Sequence, residues 1–313
     1  MDHDFAPVNQ RLAARLLVLL GCLALAAGAQ AQDIEPRRWT HLPVGSNVLG
    51  LAYGYTDGDL SFDPVLEVQD AKVESQTLAL SFVRSFDCFG RTGRLDAILP
   101  YQWARWDGLL AGTPATRERE GFSDPWLRFS LDLVGAPALK GTEYADFRAA
   151  HPVQTVVGVA LGVQLPLGDY EDDKLLNLGQ NRFVFRPQAG VVHTSGPWSF
   201  ELTSSIWIFT DNDDFFGGNE LAQNPLYDTQ AHVVRSFPNK CWASAGVAYA
   251  WGGESSVNGQ SKADDRSNLL SSVSAGMPLG ESQSLKIGYI RGDTQNDVGA
   301  DTHTFFIAWS FRF

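Results

Sequence analysis

Thr302-His303-Thr304-Phe305-Phe306-Ile307-Ala308-Trp309-Ser310-Phe311-Arg312-Phe313 ends the chain, and its reading decides the fold. In an extended strand, His303, Phe305, Ile307, Trp309, Phe311 and Phe313 share one face, and Thr302, Thr304, Phe306, Ala308, Ser310 and Arg312 share the other. One face is aromatic and aliphatic, the other mostly small or polar. That is the pattern of a strand with lipid on one side and a polar interior on the other.

Working backward with the same two-residue period gives strands near 281–291, 266–277, 241–252, 225–236, 197–210, 181–193, 153–166, 122–134, 93–106, 73–85 and 46–56. With the terminal strand the count is about twelve, an even number, as single-chain bacterial barrels require. The connections alternate as well. Those at 57–72, 107–121, 167–180, 211–224, 253–265 and 292–300 are long and polar, as outer loops are. Most of the others are short turns such as Ser195-Gly196-Pro197 and Pro278-Leu279-Gly280; the long 135–152 connection, with Tyr144-Ala145-Asp146-Phe147-Arg148, has room for a helical turn. The expected fold is all-β, a transmembrane antiparallel up-and-down β-barrel. A soluble β-sandwich also alternates. It would bury its rings mid-strand, whereas Tyr53, Tyr101, Trp103, Trp198, Tyr249, Trp251 and Trp309 fall mostly near strand ends, where membrane-interface girdles sit.

The N-terminus fits an exported protein. Arg11 and Arg15 precede an apolar run from Leu16 to Ala27, and Ala29-Gln30-Ala31 fits a cleavage site, so 1–31 is read as a signal peptide, 32–45 as a periplasmic segment and 46–313 as the barrel. Lipid attachment at Cys22 fits less well because the apolar run continues past it. Outer-membrane lipid and lipopolysaccharide are then the expected surroundings, and the alternating aromatic end (Phe305, Ile307, Trp309, Phe311, Phe313) looks like the strand by which barrel-assembly machinery recognises outer-membrane proteins.

A net charge of −12 disfavours nucleic acid as a partner. The outer loops are acidic, with Asp57, Asp59, Asp63, Glu67 and Asp70 in the first and Asp169, Glu171, Asp172 and Asp173 in the third. Asp211-Asn212-Asp213-Asp214 has oxygen ligands but lacks the spacing and downstream Glu of a calcium loop, so neither metal nor cofactor is expected. Cys88 and Cys241 fall in turns six strands apart on a twelve-stranded ring and are expected to remain free thiols.

Charges also fall on inward positions: Arg94, Asp96, Gln102, Arg128, Asp132, Arg186, Gln188, Glu201 and Lys286. Both signs are tolerated there if the lumen is wet or the charges pair, whereas Arg or Lys on the lipid face costs about 2–4 kcal/mol at the midplane. Hydrolase chemistry has poor candidates. His193 and Ser195 lie at a turn, His232 has no evident carboxylate partner in sequence, and no Gly-x-Ser-x-Gly elbow is present.

Leu165-Pro166-Leu167-Gly168-Asp169-Tyr170, Asn177-Leu178-Gly179-Gln180-Asn181-Arg182, Phe185-Arg186-Pro187 and Gly121-Phe122-Ser123-Asp124-Pro125 together resemble the outer-membrane family named for the meta-pathway of phenol degradation. Its members are described as transporters, and the resemblance covers most of 45–313. The family has Thr where Leu167 stands and Gly where Ser123 stands. It marks Pro166, Gly168, Asp169, Asn181 and Arg182 as motif positions; proline and glycine there read as punctuation where a strand enters an outer loop. Three functions remain open: a passive channel for small, aromatic or hydrophobic molecules, implied by the family name; a non-transporting surface barrel; and a membrane hydrolase.

Overall fold

The computed structural model of the protein describes residues 34–61, 68–110 and 112–313. The expected signal peptide, its cleavage site at Ala31, and Asp63 and Glu67 of the first outer loop lie outside these residues. In chain order the strands are Asn47–Ser61 (β1), Val68–Cys88 (β2), Arg91–Leu110 (β3), Thr113–Phe122 (β4), Trp126–Val134 (β5), Val153–Gln164 (β6), Val184–Ser195 (β7), Trp198–Phe209 (β8), Asn212–Phe215 (β9), Asn219–Gln223 (β10), Leu226–Ser236 (β11), Trp242–Gly252 (β12), Ser255–Val257 (β13), Gln260–Ser261 (β14), Arg266–Pro278 (β15), Gln283–Thr294 (β16) and Gly299–Arg312 (β17). A single helix, Gly141–Ala150 (α1), lies between β5 and β6.

All pairings are antiparallel, and β1 bonds to both β2 and β17 while β2 bonds to β3, so the main sheet closes on itself. The seam runs from the pair Val48–Arg312 to the pair Ser61–Gly299. β4 and β5 both pair with β3 and act as one barrel strand interrupted at Ser123-Asp124-Pro125. The ring therefore has twelve strands, as the alternation requires. β9, β10, β13 and β14 form a separate small sheet in the outer loops.

The outer face carries Leu80, Leu95, Leu127, Val159, Leu161, Leu202, Val247, Val273 and Ile307, each 40–55% exposed. So continuous an apolar belt is explained by lipid and not by water. Rings border it. On one side Tyr101 meets Trp103 and Phe122 edge-on at 4.8 and 5.1 Å, and Trp251 stacks with Tyr227 and Tyr249 at 5.8 Å. At the opposite ends of the strands lie Trp309, Phe311 and Phe313, with Arg235 over Trp198.

Beyond the lengthening of β1 and β2 into the expected 57–72 loop, two features depart from the sequence reading. The stretch 107–121, expected as an outer loop, is instead the tip of a long β3–β4 hairpin that continues the wall beyond the girdle. Its outward face is polar, with Arg105 paired to Asp107 at 2.6 Å and Glu118 at 3.2 Å, as befits strand that has left the bilayer. Its inward face (Ala104, Trp106), with Val73 of β2 beside it, packs against Leu176 and Leu178 of the 165–183 loop, whose Leu175 packs on the small outer sheet through Phe215, Leu221 and Val257. That loop thus bridges the tall wall and the small sheet.

The second departure corrects the N-terminal assignment. Residues 34–45, expected in the periplasm, rise into the barrel: Ile34 packs on Ala248, Leu270 and Ile290 of the inner wall, and Trp39 is 1% exposed among Ala136, Val156, Ala160 and Val192. A chain leaving a barrel strand with apolar Ile34 and Trp39 buries them where a small-residue wall leaves room. Among the described residues the segment ahead of β1, and no loop, supplies this occupant.

Candidate functional site

The candidate site is the lumen beside that segment. Trp39 is seated on two glycines of neighbouring strands. A Cβ at Gly190 would overlap its indole, and one at Gly158 would come within 2.6 Å of the ring. Its Nε1–H donates to Thr203 Oγ1 at 2.8 Å. Above it the Glu35 N–H donates to Gln230 Oε1 at 3.2 Å, and the Arg37 N–H to Glu201 Oε2 at 2.7 Å. These bonds satisfy the backbone of a segment that has no ladder of its own, as burial demands.

Below, at the periplasmic mouth, α1 grips the same segment. His41 Nε2–H donates to the Pro137 carbonyl at 2.9 Å, the Tyr144 hydroxyl donates to the His41 carbonyl at 2.8 Å, and the rings of Tyr144 and Phe147 meet the imidazole edge-on. Arg148 of the helix bonds Gln154, whose amide donates to the Gly135 carbonyl at 2.7 Å. Burial lowers the His41 pKa, the Pro137 bond opposes this, and the charge of Arg148 adds to the lowering.

The inward charges form one connected cluster. Asp96 is shared by Arg94 and by Arg128, the latter at 3.3 Å. Arg128 also donates from Nε to Gln188 at 2.8 Å and stacks on Trp39, its guanidinium carbon 4.8 Å from the ring centroid. Arg186 pairs with Asp228 at 3.1 Å and lies 4.1 Å over Trp207, whose Nε1–H donates to the same carboxylate at 2.6 Å. Lys286 and Arg38 share Glu35 at 3.0 and 3.4 Å. Arg37 turns its guanidinium to Trp242, while its backbone holds Glu201. Asp132, 8% exposed, lies two residues from Ser130 on the same inward face and makes no ion pair among the described residues. Six cationic side chains and five carboxylates thus line this region among the described residues, and Arg128 Nη2 is buried without a hydrogen-bond partner there.

Between segment and wall is a cavity of about 220 Å³, lined by Arg94, Asp96, Arg128 and Arg186 and by Ile98, Trp126 and Trp207. Ile98 points inward yet is 40% exposed, and Trp126 meets Trp207 edge-on at 5.4 Å.

Every inward residue singled out in sequence lies on the inner wall, but Gln102 stands apart from the cluster, bonded to Thr77 and Ser123 nearer the outer mouth. The motif positions gather elsewhere too, around a residue that sequence reading passed over. Asp124, 2% exposed, accepts the N–H groups of Gly168 at 2.9 Å and Gln180 at 2.7 Å and the amide of Gln164 at 3.0 Å. A Cβ at Gly168 would reach 2.7 Å from the Asp124 nitrogen, which is why glycine stands there. Asp169 exchanges both backbone and side-chain bonds with Phe122, Asn181 is left-handed at φ 52° and donates to Asn212, and Arg182 bonds Gln180 and Gln223 over the Phe209 ring. Pro166 precedes this knot at the end of β6. The motifs fasten the outer loops to the strand break at Ser123-Asp124-Pro125.

Sequence reading also missed Trp39, Asp228, Trp126 and Trp207. Asp228 was legible, since Leu226, Asp228, Gln230 and His232 alternate on one face of β11; Trp39 precedes any strand pattern and carried no signal. His232 lies across the ladder from Glu201, a partner invisible in sequence. His193 bonds Thr155 on the exposed outer side of the strands, and no group of three metal-ligating side chains occurs among the described residues.

A closed twelve-stranded barrel with a lipid belt, aromatic girdles and an ion-paired lumen is an outer-membrane β-barrel. The chain belongs to the family described as "Putative MetA-pathway of phenol degradation", which matches residues 53–305. Among solved structures it is similar to the COG4313 outer membrane channel from Pseudomonas putida F1, at 20% identity and TM-score 0.73 over 90% of this chain and all (100%) of that one. It is also similar to the transport unit of the autotransporter AIDA-I from Escherichia coli (10% identity, TM-score 0.52, 93% of this chain and 96% of that one) and the translocator domain of NalP from Neisseria meningitidis (13%, 0.50, 94% and 99%). At these identities the likeness is one of fold. No curated protein matches the sequence.

Proposed function

We propose that the protein is a passive channel for small solutes, narrowed by its own N-terminal segment. The observation that carries this reading is the cavity of about 220 Å³ between that segment and a charged inner wall. A merely structural ion-pair network would pack such a space shut, and the exposed inward Ile98 indicates room beside it. The likeness to the Pseudomonas putida channel supports transport as the reading. Export with cleavage near Ala31, recognition of the C-terminal strand by the assembly machinery, and an outer leaflet of lipopolysaccharide belong to the same reading.

The test is planar-bilayer recording together with liposome swelling, on the wild type and on a variant lacking residues 34–42. Small conductance in the wild type and a several-fold larger one in the deletion are expected. Absence of current and of flux for every small solute in both would sink the channel.

The contrary reading, a sealed surface barrel, is favoured by the bonds that cross the lumen from Glu35 to β11 and β16 and from Arg37 and Trp39 to β8. It predicts no flux until those bonds are removed.

A further inference from the structure

The outer wall carries a cation set into a corner of rings. Arg235, beside the last residue of β11, is exposed at the periplasmic girdle, its guanidinium carbon 5.1 Å from the ring centroid of Trp198 and 5.5 Å from that of Phe237. It forms no ion pair and no side-chain hydrogen bond among the described residues. The two rings are 38% and 39% exposed, so the corner is open to the membrane interface. A guanidinium lying over rings still presents its N–H edge, and that planar fork suits the oxygens of a phosphate. The turns on either side, 195–198 and 236–242, contain no acid and bring Lys240; the next turn, 279–282, has one acid, Glu281, with Arg312 bonded to its carbonyl. The corner is cationic.

An apolar groove begins beside it. Ala243, the cross-strand partner of Arg235, lies at one end of a groove of about 740 Å³ in the lipid face. The register puts Arg235, Ala243, Ala275, Ile287 and Ile307 on one row across neighbouring strands. Arg235 is at the end of its strand, whereas Ile307 is well inside β17, so the row climbs from the interface into the bilayer. Four strand spacings of ~4.8 Å, with barrel strands tilted ~40°, give a climb of about 12 Å, most of one leaflet of a ~30 Å hydrocarbon core. Ala243 and Ala275 leave depth where Val273, Ile287 and Ile307 stand out, each 45–55% exposed. We propose that corner and groove together hold one inner-leaflet phospholipid of net negative charge, its phosphodiester on Arg235 and an acyl chain along Ala243, Ala275 and Ile287. A zwitterionic headgroup would bring an ammonium group into a corner that has cations and no carboxylate to receive it. The site lies on the outer wall and stands whatever crosses the lumen.

The test is native mass spectrometry of the folded full-length barrel, titrated in detergent with palmitoyl-oleoyl phosphatidylglycerol or with phosphatidylethanolamine of the same chains. The wild type should retain one phosphatidylglycerol, about fivefold more tightly than phosphatidylethanolamine, the effect of one basic side chain at an anionic lipid surface. Arg235→Gln should bring phosphatidylglycerol down to the level of the other lipid. Ala275→Phe, which fills the groove and leaves the corner intact, should weaken both. Arg84→Gln removes another exposed cation near the periplasmic end of β2, without rings beside it, and should change neither. Excess glycerol phosphate, a headgroup without chains, should leave the bound lipid in place. If Arg235→Gln fails to fold, judged by heat-modifiable migration, Ala275→Phe and the lipid series decide alone. Equal retention of the two lipids by the wild type, or wild-type binding by Arg235→Gln or Ala275→Phe, overturns the proposal. So does displacement by glycerol phosphate, or an equal loss in Arg84→Gln, which would mark a general effect of interfacial charge.

Discussion

Gly190 shows how much a single missing methyl can decide. The indole of Trp39 occupies the place where its Cβ would be, so Gly190→Val should evict Trp39 and loosen the segment without touching any charge. Single-channel recording should show a larger or noisier conductance than the wild type; an unchanged trace would mean that Trp39 does not hold the segment. Asp124 plays the corresponding part at the outer mouth. Asp124→Ala leaves one buried and two part-buried donors without this acceptor, the buried Gln164 amide costing about 1–3 kcal/mol unless water enters. Faster protease cleavage within 165–183 is the expected result, with the barrel itself still intact. Neither residue announced itself in the sequence, for different reasons. Gly190 is one of many small inward residues in a barrel pattern, and its meaning depends on a tryptophan some 150 positions earlier in the chain. Asp124 stood in a recognised motif, but its partners come from another loop.

At the level of elements, the strands were legible because the lipid face enforces a period of two over about ten residues, a signal that no core could blur. The β3–β4 extension was not, because outside the bilayer both faces are wet or half-wet and Thr116-Arg117-Glu118-Arg119-Glu120 reads as loop. The helix α1 was visible only as a possible turn, and its function of gripping His41 required the correct placement of residues 34–45. That grip should depend on pH. A released His41 titrates near the ordinary value of 6.5, whereas burial holds the docked imidazole neutral to lower pH. The docked state therefore binds fewer protons; its stability is fully present above pH 6.5 and falls as pH drops below that value. Conductance should rise on acidification from pH 7 to 5 in the wild type, and the rise should be much reduced in His41→Gln. Tyr144→Phe, which removes the hydroxyl bond to the His41 carbonyl, should loosen the segment at all pH values by about 0.5–1.5 kcal/mol.

Taken whole, the molecule is arranged in concentric chemistry: aliphatic outside, backbone ladder between, ion pairs within. Moving a charge across that ladder should be costly. Val159→Arg, on the lipid-facing side of β6, should destabilise the barrel by about 2–4 kcal/mol, read as a lowered urea midpoint in lipid vesicles. Ring geometry also keeps Cys88 and Cys241 apart on separate turns, both free thiols, so non-reducing mass spectrometry should find no bond between them. A bonded pair would contradict the ring order. The strand count and this separation were legible because they follow from pattern and arithmetic around a circle; the contents of the lumen were not, since they depend on which chain segment finds room inside.

The segment inside the lumen also constrains where the chain can be extended. It lies immediately ahead of β1, and β1 is half of the seam that joins β17. The occluding stretch is therefore tethered at the seam itself and reaches the lumen through the periplasmic opening. A bulky folded fusion placed ahead of Ile34 would hold the segment out and leave the ring empty, while a fusion after Phe313 would leave it in place.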